Sequence, residues 1–244
     1  NRFDCIVIDE THKAGAESYH KIINHFKPKL LLGMTASPER TDGFDIYKLF
    51  DHNIASEIRL QDALKDDLLC PFHYFGISEV VSLDDKTLQA TKLTDDEFNQ
   101  LTSDERVRHV IEQSEYYGYS GDRVRGLIFC SRVKECEELS RKFNALGYRT
   151  IALSGSDSEE KRQKAFERLA MDEADTTEEM QPLDYIFSRD ILNEGVDIVE
   201  VNQVIMLRPT QSPIVFIQQL GRGLRKAPGK EYVVILDFGF YWKL

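Results

Sequence analysis

The chain has 244 residues, and its 31 Lys and Arg against 42 Asp and Glu give a net charge of −11. Hydrophobic residues at 41% and charged residues at 30% exclude a disordered or fibrous protein and predict one large or two small globular domains. The negative charge argues against a protein that coats nucleic acid with its whole surface, although residues 202–230 carry no acid and could form a basic groove. No apolar run reaches the ~18 residues of a membrane span. No signal peptide is visible, and the four cysteines form no C-x-x-C pair, so we expect a cytoplasmic protein without membrane contact.

Apolar segments of strand and helix length alternate along the chain. Residues 3–8 predict a buried strand, an amphipathic helix follows and stops at Pro28, and residues 29–35 predict a second strand. Residues 68–77 lead into a second sheet, whose further strands we predict at 126–130, 148–153, 185–188, 203–207 and 232–237. This alternation is typical of an α/β fold of parallel sheets with helices on both faces.

The helix signals divide the chain into three parts. Two capping-box patterns, at residues 94–97 and 102–105, begin helices in a connecting segment over residues 59–118. Beyond it, Ser131 is the predicted N-cap of a helix that Gly147 ends, and residues 156–159 begin the next helix. We expect residues 1–58 to be the end of one α/β domain and residues 119–244 to be a second, nearly complete one.

Two adjacent carboxylates, Asp9 and Glu10, follow the first predicted strand directly and precede Thr11 and His12. Open α/β sheets bind ligands at the carboxyl ends of their strands. There, one carboxylate can hold Mg²⁺ and its neighbour can polarise a water molecule for attack on phosphorus. The alternative is an ordinary surface turn, because Asp-Glu pairs are common.

Two further strand ends carry hydroxyl groups. Thr35-Ala36-Ser37 follows the second strand and could hydrogen-bond to the carboxylate segment, although these residues also suit an ordinary turn. Ser188 ends a later strand, before Gly195, which permits close backbone approach, and Asp197, which could contact a ribose or an arginine. Each of these segments alone is a weak functional signal.

A helix predicted over residues 213–220 leads into the sequence Gln-Gln-Leu-Gly-Arg-Gly-Leu-Arg at 218–225. If the helical turn continues, Gln218, Arg222 and Arg225 share one face at i, i+4 and i+7. Two guanidinium groups without a nearby acid suit a phosphate, because the arginine fork is planar and permanently charged. The alternative is a basic surface helix.

Together and in this order, these segments resemble the motor of superfamily 2 helicases, the DEAD/DEAH-like group. Residues 9–12 look like motif II (the DEAH box), 35–37 like motif III, 128–132 (Ile-Phe-Cys-Ser-Arg) like motif IV, 188–197 like motif V, and 218–225 match the motif VI pattern Q-x-x-G-R-x-x-R. Residues 32–43 and 191–197 are most similar to the type III restriction subunit-like branch, and within it to bacterial helicases. The resemblance extends over residues 1–238.

The resemblance implies two RecA-like domains, with ATP hydrolysed in the cleft between them to move along or unwind nucleic acid. Asp9 and Glu10 would hold Mg²⁺ at the phosphates, and Glu10 would also accept the proton of the attacking water. The implied catalytic residues are Asp9, Glu10, His12, Gln218, Arg222 and Arg225. The implied nucleotide-binding residues are Asp9, Glu10, Gly195, Asp197, Arg222 and Arg225.

The same resemblance implies a nucleic-acid partner, with DNA favoured over RNA through the restriction-type branch. Its phosphates would be contacted largely without regard to sequence. The implied contact residues are Ser131, Arg132, Ser154, Gly155 and Ser188. Thr35, Ala36 and Ser37 would couple the nucleotide site to the neighbouring domain.

One motif of the family, motif I with the pattern G-x-G-K-[ST], is absent from the chain. Gly229 and Lys230 do not replace it, because Glu231 follows where a Ser or Thr is needed. We therefore expect a fragment that is inactive alone and whose missing N-terminal partner segment carries motif I. Two alternatives stay open: a double-stranded DNA translocase of a restriction-type system, and a nucleic-acid-binding module without ATPase activity.

Overall fold

The computed structural model describes residues 3–35, 45–80, 93–189, 198–208, 221 and 224–238. Its strands are β1 (Cys5–Ile8), β2 (Leu30–Gly33), β3 (Phe72–Gly76), β4 (Gly126–Phe129), β5 (Thr150–Leu153), β6 (Tyr185–Ser188), β7 (Gln203–Met206) and β8 (Val233–Asp237). Its α-helices are α1 (Glu17–Phe26), α2 (Leu60–Lys65), α3 (Asp95–Leu101), α4 (Asp104–Tyr117), α5 (Val133–Ala145) and α6 (Glu159–Ala170). Within these ranges no helix has both the length and the apolar character that a membrane crossing requires.

The chain divides into two compact units, residues 1–62 and 63–244. In the first unit, β1 and β2 pair in parallel with Ile8 opposite Gly33. Ile8 is buried with Ala14 and Ile46, and residues of α1 pack against this small core. The division of the chain into functional domains at residues 58 and 118 stays a prediction.

The second unit is built on a six-stranded sheet in the order β3-β8-β7-β4-β6-β5, and every neighbouring pair is parallel. Successive residues of β4 point to opposite faces: Leu127 packs in one core with Leu169 of α6, and Ile128 packs in the other with residues of α4 and α5. Helices therefore cover both faces, which explains why these strands are continuous apolar runs. The predicted α/β fold is confirmed.

One of the two predicted capping boxes forms. Thr94 accepts the Glu97 N–H, and the Glu97 carboxylate accepts the Thr94 N–H, so α3 begins as expected. The box at residues 102–105 is wrong by one residue: Ser103 caps α4 by accepting the Arg106 N–H at 3.2 Å, and Thr102 ends the preceding helix. Thr102 and Ser103 are both residues that commonly cap helices. Because Thr102 already ends α3, Ser103 caps α4.

The N-cap predicted at Ser131 is also wrong. Arg132 occupies the N-cap of α5, and its side chain makes no cap hydrogen bond. The Ser131 N–H instead donates to Glu135 Oε2 at 2.9 Å, so a carboxylate inside the helix reaches back to the turn. At the other end, Gly147 has a φ of 96°, which suits glycine and confirms the predicted stop.

Candidate functional site

Asp9 and Glu10 form a turn at the carboxyl end of β1. Asp9 is exposed, and its Oδ1 accepts the Glu10 N–H at 2.9 Å. Glu10 has φ 49° and ψ 47°, a left-handed conformation that is uncommon for a residue with a side chain. Its carboxylate is 43% exposed, and Oε2 lies 3.3 Å from Nδ1 of the buried His12. The turn thus places one carboxylate in solvent and a second against an imidazole.

Thr35 reaches the same imidazole from the next strand. Its Oγ1 lies 3.0 Å from His12 Nδ1, and the tautomer of the ring sets which atom donates. A backbone hydrogen bond joins the same two segments, because the Thr11 N–H donates to the Met34 carbonyl at 2.9 Å. The structure therefore brings together the first two candidate segments at neighbouring strand ends, as parallel pairing of β1 and β2 requires. Ala36 and Ser37 lie outside the described residues.

Close packing at Gly33 holds these two strand ends together. A Cβ at this position would lie 2.3 Å from Phe50 Cζ and 2.8 Å from Thr11 Oγ1, distances at which atoms overlap. The position therefore has room only for glycine. The Phe50 ring and the segment before His12 can approach β2 because no side chain stands between them.

The carboxylates of Asp9 and Glu10 suit Mg²⁺ chemically. This ion prefers oxygen ligands, keeps several waters, and is usually held by one or two carboxylates together with substrate phosphates. Among the residues that the structure describes, no group of three His, Cys, Asp or Glu could form a protein cage for a metal. Asp9 and Glu10 would hold such an ion, which when bound supplies charge neutralisation at the phosphates.

In the second unit, the candidate serines lie along one edge of the sheet. Ser131 and Ser188 stand at the carboxyl ends of β4 and β6, and Ser154 follows β5, which is the next strand in the sheet. The Cys130 N–H donates to the Ser188 carbonyl at 3.0 Å. The buried Oγ atoms of Ser131 and Ser188 make no hydrogen bond within the described part of the chain. Buried hydroxyls without a partner are uncommon.

A hydrogen-bonded turn holds Ser154. Asp157 Oδ2 accepts the Ser154 N–H at 2.7 Å and its hydroxyl at 3.1 Å, and Lys161 Nζ donates to Asp157 Oδ1 at 2.5 Å. These contacts, with the Lys161 hydrogen bond as the largest, lower the pKa of Asp157. Gly155, inside the turn, has open space where a Cβ would stand.

Three arginines accompany the strand ends of this edge. Arg132 begins α5 after β4, Arg189 follows β6 directly, and Arg208 stands two residues after β7. The sequence interpretation singled out Arg132 but did not include Arg189 or Arg208 among the site residues. An arginine directly after a buried strand was the signal that could have found them.

The structure places Arg225 in a different region of the sheet. Its neighbour Leu224 accepts the Cys70 N–H at 2.7 Å, and Lys226 pairs with Asp67 at 2.6 Å. Both partners precede β3, at the amino edge of the sheet, whereas the serines follow carboxyl ends. The other candidates from these segments, Gly195, Asp197, Gln218 and Arg222, lie outside the described residues.

Comparison with known proteins shows the family. Residues 106–227 match the family described as "Helicase conserved C-terminal domain", and residues 1–40 match "Type III restriction enzyme, res subunit". The Saccharomyces cerevisiae protein named "Putative ATP-dependent helicase IRC3" is 24% identical, over 98% of this chain and 34% of its own length. The Schizosaccharomyces pombe protein named "Putative mitochondrial ATP-dependent helicase irc3" is 26% identical, over 97% and 38%. The chain thus spans between a third and two fifths of these relatives.

Two solved structures share the fold. A fragment described as a "putative HsdR subunit of a type I restriction enzyme from Vibrio vulnificus YJ016" has a TM-score of 0.74 at 24% identity, over 98% of this chain and 44% of its own. The Type ISP restriction-modification enzyme LlaBIII bound to DNA has a TM-score of 0.64 at 18% identity, over 96% and 18%. The RecA-like fold and the resemblance predicted from the motifs are confirmed. The chain belongs to the helicase family that the conserved C-terminal domain defines.

Proposed function

We propose that the intact protein is an ATP-dependent nucleic-acid motor that hydrolyses ATP to move along or unwind DNA. The observation that best supports this proposal is the convergence of Glu10 and Thr35 on His12 Nδ1. A carboxylate suited to activate water and a hydroxyl on the neighbouring strand end share one imidazole, so a change at the nucleotide can reach a second segment.

In this proposal, Asp9 and Glu10 hold Mg²⁺ and Glu10 accepts the proton of the attacking water. Arg222 and Arg225 neutralise charge on the transferring phosphoryl group, an effect worth about 10³–10⁵ in rate for an arginine finger. Gln218 acts with His12 in relaying the nucleotide state, and the nucleotide also contacts Gly195 and Asp197.

The surface of the first unit supports a missing partner segment. Val7, Leu30 and Leu32 share one face of the β1–β2 pair and are 53%, 57% and 38% exposed. A two-stranded sheet with an open apolar face is marginal in water. We propose that the part of the same protein that carries motif I packs against this face and extends the sheet at its edge. The domain division at residues 58 and 118 and a cytoplasmic location belong to the same proposal.

DNA is the favoured track, because the first 40 residues match a restriction enzyme subunit and one fold neighbour is described as bound to DNA. These observations also favour a second candidate function, translocation along double-stranded DNA without strand separation. Several relatives are named RNA helicases, so RNA is the competitor to include in every binding test.

ATP hydrolysis by the full-length protein, with and without DNA, tests the proposal. We expect a low basal rate that DNA stimulates, and a negligible rate for the 244-residue chain by itself, since it has no G-x-G-K-[ST] loop to hold the phosphates. DNA binding without any hydrolysis by the full-length protein would favour a binding module instead. Strand displacement and triplex displacement assays then distinguish a helicase from a translocase.

A further inference from the structure

Arg106, near the start of α4, is a buried cation with 1% of its surface exposed. Its Nε and Nη2 donate to Glu79 Oε1 at 2.9 and 2.5 Å, and its Nη1 donates to Glu135 Oε1 at 2.9 Å. The remaining donors reach two backbone carbonyls, those of Leu101 at 2.9 Å and Leu207 at 3.1 Å. All five N–H donors of the guanidinium are therefore in use.

Two carboxylates surround this one cation. Burial acts against the charge of Arg106, but the attraction of Glu79 and Glu135 outweighs it and raises the pKa of the guanidinium. Buried ion pairs add little net stability compared with well-packed apolar side chains. A gain in stability therefore does not explain the buried cluster of Arg106, Glu79 and Glu135. The positions of the backbone groups that this cluster holds explain it better.

The network joins two turns at the carboxyl edge of the sheet. Glu135 uses its second oxygen, Oε2, to accept the Ser131 N–H at 2.9 Å, directly before Arg132. The Leu207 carbonyl, held by Arg106 Nη2, directly precedes Arg208. Because β4 and β7 are neighbours in the sheet, one buried guanidinium holds both turns at a set spacing.

We propose that Arg106 is a positioning residue for nucleic acid: through Glu135 and the Leu207 carbonyl, it sets the spacing of Arg132 and Arg208 for phosphates of one backbone. Two turns that are held at a set spacing before binding lose less conformational entropy when the strand arrives. The inference rests on the proposed function, since it assigns a nucleic-acid backbone to this edge.

The variant that tests it is Glu135→Gln in the full-length protein. A glutamine side chain has one acceptor oxygen, so it cannot serve both Arg106 and the Ser131 N–H, while Arg106 keeps Glu79 as its ionic partner. Tyr185→Phe is the matched control, because it removes another buried hydrogen bond, the 2.7 Å contact from Tyr185 Oη to Gln203 Oε1, at the amino end of the same sheet. The probe is a labelled single-stranded DNA, with the duplex and an RNA of the same sequence as competitors, titrated at several salt concentrations, and Arg132→Ala is the reference variant.

We expect Glu135→Gln to weaken binding about tenfold and to flatten the salt dependence by about one phosphate contact, as Arg132→Ala does. In the double variant Glu135→Gln/Arg132→Ala, the loss of affinity should be little larger than in Arg132→Ala alone. Tyr185→Phe should leave the salt dependence as in the wild type. If Glu135→Gln does not fold, Arg106→Lys, which keeps a cation beside Glu79 but cannot reach all four partners, should give the same result.

Two results separate failure of this inference from failure of the proposed function. The first result, which overturns the positioning role alone, is wild-type salt dependence in the Glu135→Gln or Arg106→Lys protein together with a clear loss for Arg132→Ala, or additive losses when Glu135→Gln and Arg132→Ala are combined. A wild-type protein that does not bind the probe overturns the proposed function, and the positioning role with it.

Discussion

His12 Nδ1 lies 3.0 Å from Thr35 Oγ1, although 23 residues separate them in the chain. The same nitrogen lies 3.3 Å from Glu10 Oε2, so the imidazole stands between a carboxylate and a hydroxyl on neighbouring strand ends. Loss or rearrangement of charge beside Glu10 would change what the imidazole donates or accepts. In the proposed motor, Thr35 would report the state of the nucleotide to residues beyond β2.

Thr35→Val tests this coupling. Valine keeps the shape of threonine but cannot hydrogen-bond, so nucleotide binding and the basal ATPase rate should stay within about twofold of wild type. DNA stimulation should fall about fivefold or more, the usual range for a coupling between sites. Thr35→Ser, which keeps the hydroxyl, is the control and should retain stimulation. Steady-state ATPase rates with and without DNA measure the stimulation in each variant. Full stimulation in the valine variant would rule out the coupling role.

Gly33→Ala should destabilise the first unit. The added Cβ would overlap the Phe50 ring and Thr11 Oγ1, and forcing extra atoms into a packed site costs about 1–3 kcal/mol. Gly155→Ala is the control, because open space surrounds its Cβ position. Denaturant unfolding measures both variants. Equal stabilities would mean that Phe50 moves aside at little cost and that Gly33 is not required for packing.

Asp157 should make the second unit sensitive to acid. Its pKa is lowered in the folded protein, chiefly by the Lys161 hydrogen bond, so the stabilisation is present above the unfolded-state pKa of Asp and is lost as pH falls through the folded-state value. Asp157→Asn lacks this contribution at every pH. The difference in denaturation midpoint between wild type and variant should therefore narrow as pH falls below about 4, the unfolded-state pKa of Asp. A difference that stays constant over this range would contradict the assigned role of Lys161.

The strands of the six-stranded sheet were the most predictable part of the fold, whereas β1, which we predicted as a buried strand, is buried only at Ile8. Residues 185–188 and 233–237 are short apolar runs between polar segments, and both runs are buried throughout. A short, continuous apolar run is typical of a strand that helices cover on both faces. That Glu10 and Thr35 lie at neighbouring strand ends was also predictable, because adjacent parallel strands end at one edge. The contact through His12 Nδ1 was not, since spacing along the chain does not specify an atom.

The Arg106 network could not be predicted from the sequence. Its carboxylates are 27 and 29 residues away, and a charged residue on a polar helix is usually exposed. The cap assigned to Ser131 failed for a local reason: the helix begins one residue later, with Arg132 as its N-cap, and Glu135 within α5 accepts the Ser131 N–H. Long-range pairing of buried charges leaves no periodic signal.

Single-turnover hydrolysis by the Glu10→Gln full-length protein tests the central claim most directly. Glutamine keeps the shape of the side chain but cannot accept a proton, so the chemical step should slow by about 10²-fold or more while ATP affinity stays near wild type. Glu17→Gln is the control, because that carboxylate is exposed and its ion-pair partner within the described ranges is Lys21, one helical turn away. A Glu10→Gln protein that hydrolyses bound ATP within a few-fold of the wild-type rate would contradict the assignment of this site as the catalytic centre of a nucleic-acid motor.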